Sequence, residues 1–167
     1  MTYEIRPEQP GDASDIRQVT EAAFEVAEHS SGTEGAIIDA LRASNALAIS
    51  LVATAGSAIV GHVAFSPVTI DGADIGWFGL GPVSVTPELH GQGIGGMLIR
   101  AGLDRLKAAG ASGCVVLGDP AYYQRFGFEQ SPAVRYQEAP PEYFMKLSLD
   151  GSEVSGSVAF HDGFSAS

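Results

Sequence analysis

The stretch V-T-P-E-L-H-G-Q-G-I-G-G-M-L-I-R, residues 85–100, carries more information about the fold than any other part of this chain. An apolar run ends at Val85, four glycines fall within the six positions from Gly91 to Gly96, and an amphipathic stretch runs from Ile94 to Ala109. Glycines leave backbone N–H groups uncovered, and the first turn of a helix carries unpaired donors and about half a positive charge. The stretch therefore predicts a strand, a turn and a helix whose N-terminus binds a phosphate-bearing ligand such as a nucleotide cofactor.

Length and composition fit one globular domain. The chain has 167 residues, of which 45% are hydrophobic, enough for a core of its own. We expect this domain to span residues 1–150. The remaining segment, residues 151–167, is rich in serine and glycine, so we expect a loosely held C-terminal extension.

Charge and cysteine content restrict the partners and the compartment. Nine basic against 20 acidic residues give a net charge of −11, which argues against nucleic acid or an anionic membrane as partner and favours a cationic second substrate. In such an acidic protein a phosphate ligand requires positive charge close to the glycine turn. Candidates for this charge are Arg100, Arg105, Lys107 and Arg125. The single cysteine, the lack of a signal-like N-terminus and the lack of an apolar run of about 18 residues favour the cytoplasm.

Periodicity and turn residues predict the order β-α-α-β-β-β-α-β-α-β-β, a mixed α/β domain with an antiparallel half before the glycines and a βαβ unit around them. Asp12 or Ser14 is expected to cap a first helix that runs to about Glu28, and Ser31 to Glu34 fit a capping box for a second. Asp119 is expected to cap a short helix that begins at Pro120.

Two other phosphate-binding patterns also contain a glycine-rich turn. A P-loop would need lysine after its last glycine, but Met97 follows Gly96, so this pattern is excluded. A dinucleotide fingerprint G-x-G-x-x-G is present at Gly91, Gly93 and Gly96. Too little chain follows it for a doubly wound sheet, and a nicotinamide-binding domain stays a minor alternative.

Three segments together resemble the GNAT superfamily of N-acetyltransferases. L-G-P-V-S-V-T-P-E-L-H-G-Q-G-I-G-G-M-L-I, residues 80–99, is similar to its acetyl-CoA motif Q/R-x-x-G-x-G/A. G-H-V-A-F-S-P-V, residues 61–68, resembles the preceding strand in a branch of small bacterial members, and G-D-P-A-Y-Y-Q-R-F-G-F, residues 118–128, resembles the F-Y-x-x-x-G-F segment that follows. The resemblance covers roughly residues 3–150.

The resemblance implies a GNAT-like fold: a mostly antiparallel, twisted sheet of six to seven strands with a splayed parallel pair at the cofactor site, flanked by about four helices. It implies an acetyltransferase that moves an acetyl group from acetyl-CoA to a primary amine, on a small molecule or a protein, by direct attack on the thioester and without a metal. Because no general base is unambiguous, a non-catalytic acyl-CoA-binding or sensing module on the same fold is the alternative. Family members commonly form homodimers by sharing strands, and the edge near residues 143–149 is a candidate place.

The resemblance also implies roles for single residues. Tyr123 would protonate the departing thiolate. Apart from the resemblance, the carboxylate of Glu34 is a candidate for deprotonating an amine or for binding a cation. The main chain of the strand that ends at Val85 would pair with the pantetheine arm. The N–H groups of the glycine turn, from Gly91 to Gly96, would hold the pyrophosphate. The cofactor-binding set is Val83, Ser84, Val85, Gly91, Gln92, Gly93, Ile94, Gly95, Gly96, Tyr122 and Arg125.

Several of these residues also have a purely structural interpretation. Tyr123 fits a rim aromatic, Tyr122 fits packing, Glu34 fits the capping box and Arg125 fits a surface charge. One residue departs from the family pattern, since His90 occupies the Q/R position, and this puts a side-chain contact to phosphate from that position in doubt. The remaining candidates are expected in the core or, for the two aromatics, in the wall of an acceptor pocket: His62, Cys114, Trp77 and Phe78.

Overall fold

A computed structural model describes residues 2–27, 30 and 32–167. A six-stranded sheet in the order β1-β2-β3-β5-β6-β8 forms its centre, and a second, three-stranded sheet has the order β4-β9-β7. The strands are β1 (Glu4–Pro7), β2 (Ile49–Ala55), β3 (Ala58–Pro67), β4 (Thr69–Ile70), β5 (Trp77–Val85), β6 (Gly113–Leu117), β7 (Val134–Arg135), β8 (Phe144–Ser148) and β9 (Gly156–Ala159). The helices are α1 (Ala13–Glu25), α2 (Glu34–Ala43), α3 (Ile94–Ala108) and α4 (Pro120–Tyr123).

The predicted fold class is confirmed, because every neighbouring pair in the central sheet is antiparallel except β5 and β6. That parallel pair is short: it joins Trp77–Gly79 to Gly113–Val115 and no further. The register between β3 and β5 shifts between Val63 and Phe65, where β5 carries an extra residue. Such a bulge bends a strand. The last six residues of β5 therefore have no partner on the β6 side, and the two strands open into a cleft.

Helices cover both faces of the central sheet. On one face α3 packs against the core formed with β2 and β3, where Gly102 lies directly on the ring of Phe65 and leaves no room for a Cβ atom. On the other face Ile16 of α1 and Ile38 of α2 pack against Val52 of β2. This arrangement brings the N-terminus of α3 and the C-terminal half of α1 to the open end of β5.

The C-terminal residues have more contacts than their composition suggests. Strand β9 pairs with β4 and β7, and Val158 is 5% exposed. Phe164 packs against the cluster of α2 that contains Ile37 and Leu41. The serine and glycine content predicts a loosely held tail, but apolar side chains of this segment pack against the rest of the fold. Composition alone did not reveal these contacts. The boundary at residue 150 stays a prediction.

Helix starts differ in detail from the expected caps. Asp12 occupies the N-cap position of α1, but its carboxylate accepts hydrogen bonds from Arg6 and from the N–H of Gln9 instead of capping the helix. Thr33 is the N-cap of α2, so Glu34 is the first helical residue and not the third, as a capping box would require. Ser31 and Glu28 lie outside the described residues. The Asp119 cap is confirmed, since Oδ1 accepts from the N–H of Ala121 at 3.0 Å.

The edge of the sheet at β8 is partly covered. Glu129 and Lys146 exchange two backbone hydrogen bonds of 2.8 and 2.9 Å on the outer side of this strand. Strand sharing by a second copy would have to displace this bridge, and a homodimer through this edge stays a prediction. None of the helices in the described part of the chain is long and apolar enough to cross a membrane.

Candidate active site

A cleft of about 580 Å³ lies between the open end of β5, the C-terminal half of α1, the N-terminus of α3 and the α4 segment. It collects most of the residues singled out from the sequence. Those that line it are Val83, Ser84, Val85, Gly91, Gly93, Ile94, Gly95, Gly96, Tyr122, Tyr123 and Arg125.

The main chain of β5 presents hydrogen-bonding groups to this cleft. The N–H of Thr86 donates to the carbonyl of Val60 at 2.8 Å, and the carbonyl of Ser84 faces Gly61, so both residues turn their main chain toward β3. Backbone groups of alternate residues in a strand point in opposite directions. Val83 and Val85 therefore turn their N–H and C=O groups toward the cleft, where β6 has already diverged.

The glycine turn leaves its backbone open. Gly91 has φ 82° and Gly93 has φ 84°, a region that residues with a Cβ atom rarely adopt, and a Cβ at either position would meet nothing within 4 Å. Gly93 is the N-cap of α3 and carries no side-chain cap. Since no side chain of the described residues caps this 15-residue helix, its first N–H groups are available to bind an anion at the cleft.

Two arginines lie beside this turn on aromatic rings. The guanidinium of Arg125 is 4.7 Å from the ring centre of Tyr122, and that of Arg100 is 4.8 Å from the ring centre of Phe126. Both line the cleft. The expectation that Arg105 and Lys107 would help is wrong, because they lie in the last turn of α3, about 16 and 20 Å along the axis from its start.

Tyr122 and Tyr123 form the wall opposite β5, with ring centres 5.1 Å apart and planes at 86°. Burial raises the pKa of both phenols, so each stays protonated at neutral pH. Within the described residues the hydroxyl of Tyr123 makes no hydrogen bond, so it can donate to a group that enters the cleft.

His90 and Gln92 are occupied by contacts within the protein. The Nε2–H of His90 donates to the carbonyl of Val85 at 2.7 Å, although this ring also lines the cleft. Gln92 accepts a hydrogen bond of 2.7 Å from the hydroxyl of Tyr3 and does not line the cleft. Gln92 is therefore the one expected cofactor-binding residue whose side chain does not line the cleft.

Glu34 lies apart from Tyr123. It lines a separate pocket of about 270 Å³ between α1 and α2, and Ser30 donates to its carboxylate at 2.8 Å. Among the described residues, this pocket and the cleft share only Phe24. The two residues expected to carry out catalysis are therefore on opposite sides of an α1 side chain.

The sequence patterns did not identify the residues at the end of α1 that line the cleft. Ile16, Val19, Ala23 and Phe24 recur at helical spacing, which predicts an apolar face on this helix, and the structure places Ala23 and Phe24 of that face in the lining of the cleft together with Ala27. Their small and aromatic side chains at the end of an amphipathic helix were the available signal. Thr20, one turn earlier, is buried, and its Oγ1 lies 3.3 Å from Oγ of Ser84.

Of the two aromatic residues expected in the core or in the wall of an acceptor pocket, Trp77 is buried, whereas Phe78 is half-buried and packs against the core, and neither lines the cleft. Cys114 is fully buried, and burial raises its pKa, so its thiol is not a nucleophile poised for acyl transfer. His62 is also buried, as expected, and burial lowers its pKa to about 4. No group of three or more His, Cys, Asp or Glu side chains among the described residues could hold a metal ion.

Comparisons with known proteins agree with this geometry. Residues 4–131 match the profile of the acetyltransferase (GNAT) domain. The Escherichia coli K12 protein YhbS, an uncharacterized N-acetyltransferase, is 41% identical over 126 residues, which are 75% of this chain and 72% of that protein.

Two solved structures are similar over nearly the whole chain. A GNAT family acetyltransferase from Brucella melitensis, in complex with acetyl-CoA, is 52% identical with a TM-score of 0.87 and 98% of each chain covered. Escherichia coli YhbS, in complex with CoA, is 35% identical with a TM-score of 0.88, covering 98% of this chain and 92% of that one. The glycine turn, the open strand and the aromatic wall thus occur in a chain that belongs to the GNAT family of acetyltransferases.

Proposed function

We propose that this protein transfers an acetyl group from acetyl-CoA to a primary amine by direct attack on the thioester. The observation that carries the proposal is that the open main chain of β5 and the bare N-terminus of α3 face one cleft. A ligand with a long amide-bearing arm and a pyrophosphate matches this pair of features. The related proteins from Brucella melitensis and Escherichia coli hold acetyl-CoA and CoA, which supports the same ligand here.

Each part of the cofactor would have a matching part of the cleft. Val83 and Val85 would pair with the amides of the pantetheine arm through their main chain, as an added strand does. The N–H groups from Gly91 to Gly96 would hold the pyrophosphate, with Arg100 and Arg125 supplying positive charge.

The chemistry requires a donor for the thioester carbonyl and an acid for the departing sulfur. Main-chain N–H groups on the cleft side of β5 are donors available to polarise the carbonyl. Tyr123, kept protonated by burial and without a partner for its hydroxyl among the described residues, would donate its proton to the thiolate. Since Cys114 is buried outside the cleft, no covalent acyl-enzyme is proposed.

The acceptor would be a cationic amine that enters from the side of Phe24. The pocket behind this ring is lined by three acidic residues, Glu21, Glu25 and Glu34, of which Glu21 is ion-paired with Arg17. Together with the net charge of −11, these groups favour a positively charged acceptor over an anionic one. Glu34 is proposed to bind such a cation, since it lies apart from the wall that carries Tyr123.

Calorimetric titration with acetyl-CoA, with NAD as control, tests the cofactor assignment. We expect micromolar binding of acetyl-CoA and none of NAD. Thiol release is then measured with spermidine, 1,4-diaminobutane, tyramine and a lysine-containing peptide as acceptors. Tight binding without turnover on any of them would favour the non-catalytic module, and absence of binding would refute the proposal.

A further inference from the structure

A row of polar side chains crosses the interior of the sheet from the protein surface to the cleft. Five polar side chains are buried among the described residues, and three of them, Thr20, His62 and Ser84, lie together beneath the cleft. Burying polar groups costs stability unless they are fully hydrogen-bonded. A polar cluster at the base of a cleft therefore points to a role beyond packing.

The surface end of the row is anchored by an ion pair. Arg42 binds the carboxylate of Glu8 through two nitrogens, at 2.8 and 3.0 Å. Ser50 donates its hydroxyl proton to the same carboxylate at 2.7 Å. Burial alone would raise the pKa of Glu8, but the hydrogen bonds from Arg42 and Ser50 lower it below its usual value, so the carboxylate is ionised.

These bonds determine the tautomer of His62. Nε2 lies 2.8 Å from the Ser50 hydroxyl oxygen, whose single proton is already given to Glu8, so Nε2 must carry a proton and donate it. Nδ1 is then a bare lone pair. It is buried and has no hydrogen-bond partner.

The unpaired Nδ1 belongs to His62, whose neighbour on the adjacent strand, Ser84, lines the cleft. His62 and Ser84 lie directly opposite in β3 and β5 and so share one face of the sheet. Cβ atoms of such pairs are about 4.5–5.5 Å apart. Ser84 lines the cleft, and its hydroxyl donates to Thr20, whose own proton is bound to the carbonyl of Ile16.

We propose that His62 receives, through the hydroxyl of Ser84, the proton that the acceptor amine loses when it attacks the thioester. The amine nitrogen forms its bond to the acetyl carbon and passes a proton to Ser84 Oγ. Ser84 Oγ is not hydrogen-bonded to His62 Nδ1 in the structure, so its side chain rotates away from Thr20 and gives its own proton to Nδ1. The carbon–sulfur bond breaks, and the thiolate takes the proton of Tyr123. The Glu8 carboxylate, which reaches the ring through Ser50, offsets part of the cost of burying the resulting imidazolium.

This inference rests on the proposed function and deepens it by naming the path of the proton. Since His62 acts through Ser84 and does not touch the acceptor, it is a positioning residue. A histidine kept neutral at pH 7 is in the state required to accept a proton.

Nitrogen NMR of the whole protein tests the tautomer without any acceptor. At pH 7 we expect the proton of His62 on Nε2 and an unprotonated Nδ1. In the acetyl-CoA complex, replacing Ser84 by alanine should shift the Nδ1 resonance. A proton on Nδ1 at neutral pH, or an Nδ1 resonance insensitive to Ser84→Ala, would overturn the proposal.

His62→Gln provides the kinetic test, because glutamine can keep the donor toward Ser50 while removing the Nδ1 lone pair. With the amine that is acetylated fastest in the panel, we expect kcat to fall about 100-fold, as for loss of a general base, with the calorimetric Kd for acetyl-CoA within twofold. Ser66→Ala is the matched control, since Ser66 is also buried on β3 with an unpartnered Oγ.

The outcomes separate the two proposals. Unchanged kcat in His62→Gln, or a loss of kcat that comes with equal losses of acetyl-CoA affinity and Tm beyond those of Ser66→Ala, would overturn the proton path. Failure of the wild-type protein to bind acetyl-CoA would overturn the proposed function instead.

Discussion

The Nε2 atom of His90 lies 2.7 Å from the carbonyl oxygen of Val85, and this bond ties the glycine turn to the open end of β5. The carbonyl it occupies points into the cleft. The main chain of β5 that a ligand can pair with therefore ends at the N–H of Val85. A histidine at this place organises the backbone of the site and needs no contact of its own to phosphate.

Replacing His90 by alanine should weaken acetyl-CoA binding up to about tenfold, since a neutral hydrogen bond contributes about 0.5–1.5 kcal/mol. His90→Gln should recover most of the affinity, because its amide N–H can reach the same carbonyl. Calorimetry measures both variants. Equal affinity of His90→Ala and wild type would show that the turn is held without this bond.

Gly93→Ala and Gly110→Ala form a matched pair of variants. Both glycines have positive φ, 84° and 87°, and a Cβ at either meets nothing within 4 Å, but they lie at opposite ends of α3. Each alanine should cost about 1–2 kcal/mol of stability. Only Gly93→Ala should also weaken acetyl-CoA binding, by tenfold or more, because it disturbs the N–H groups at the cleft.

Thermal melting and calorimetry on both variants check this expectation. Equal binding by Gly93→Ala and Gly110→Ala would mean that the glycine turn is a structural corner and not an anion site. Similar losses of Tm in the two variants are needed for the comparison to hold.

Tyr123→Phe should lower kcat about 100-fold and leave the Kd for acetyl-CoA within twofold, since it removes an acid and keeps the ring. The ring contacts with Tyr122 and Phe128 should remain. Tyr122→Phe is the control, because it removes a neighbouring phenol from the same wall. A kcat of Tyr123→Phe equal to that of Tyr122→Phe across the pH range would contradict the acid role.

Local signals in the sequence predict the parts of the site that are continuous in the chain. The glycine pattern predicts where α3 begins, and Asp119 followed by Pro120 predicts the short helix that presents Tyr122 and Tyr123. Both depend on backbone conformation within a few residues. Their positions in the structure therefore agree with the expectation.

Contacts between distant residues could not be predicted in this way. Tyr3 and Gln92 are 89 residues apart, and their hydrogen bond exists only because β1 packs near the glycine turn. Phe24 reads as a core residue in the periodicity of α1, since a helix stripe does not reveal that the sheet beneath it opens into a cleft. Packing of separate elements decides both cases.

The stability of the protein should decrease as the pH falls from about 6.5 to about 4, and His62 is the cause. Burial lowers its pKa from 6.5 to about 4, with Glu8 acting in the opposite direction and Arg42 in the same direction. In this interval the unfolded chain binds a proton that the folded chain does not, so protons favour unfolding. A shift of this size corresponds to at most about 3–4 kcal/mol.

Urea unfolding at pH 7.0 and pH 5.0 measures this effect. Glu8 contributes little to the difference between these two pH values, because its pKa is lowered and its contribution to stability is lost mainly at lower pH. His62→Gln carries no titrating group at this position and should lose less stability between the two pH values than the wild type does. Ser66→Ala should lose as much as the wild type. If His62→Gln and wild type lost equal free energy of unfolding over this interval, the pKa of His62 would be the same in the folded and unfolded protein, and burial would not be what keeps its imidazole neutral.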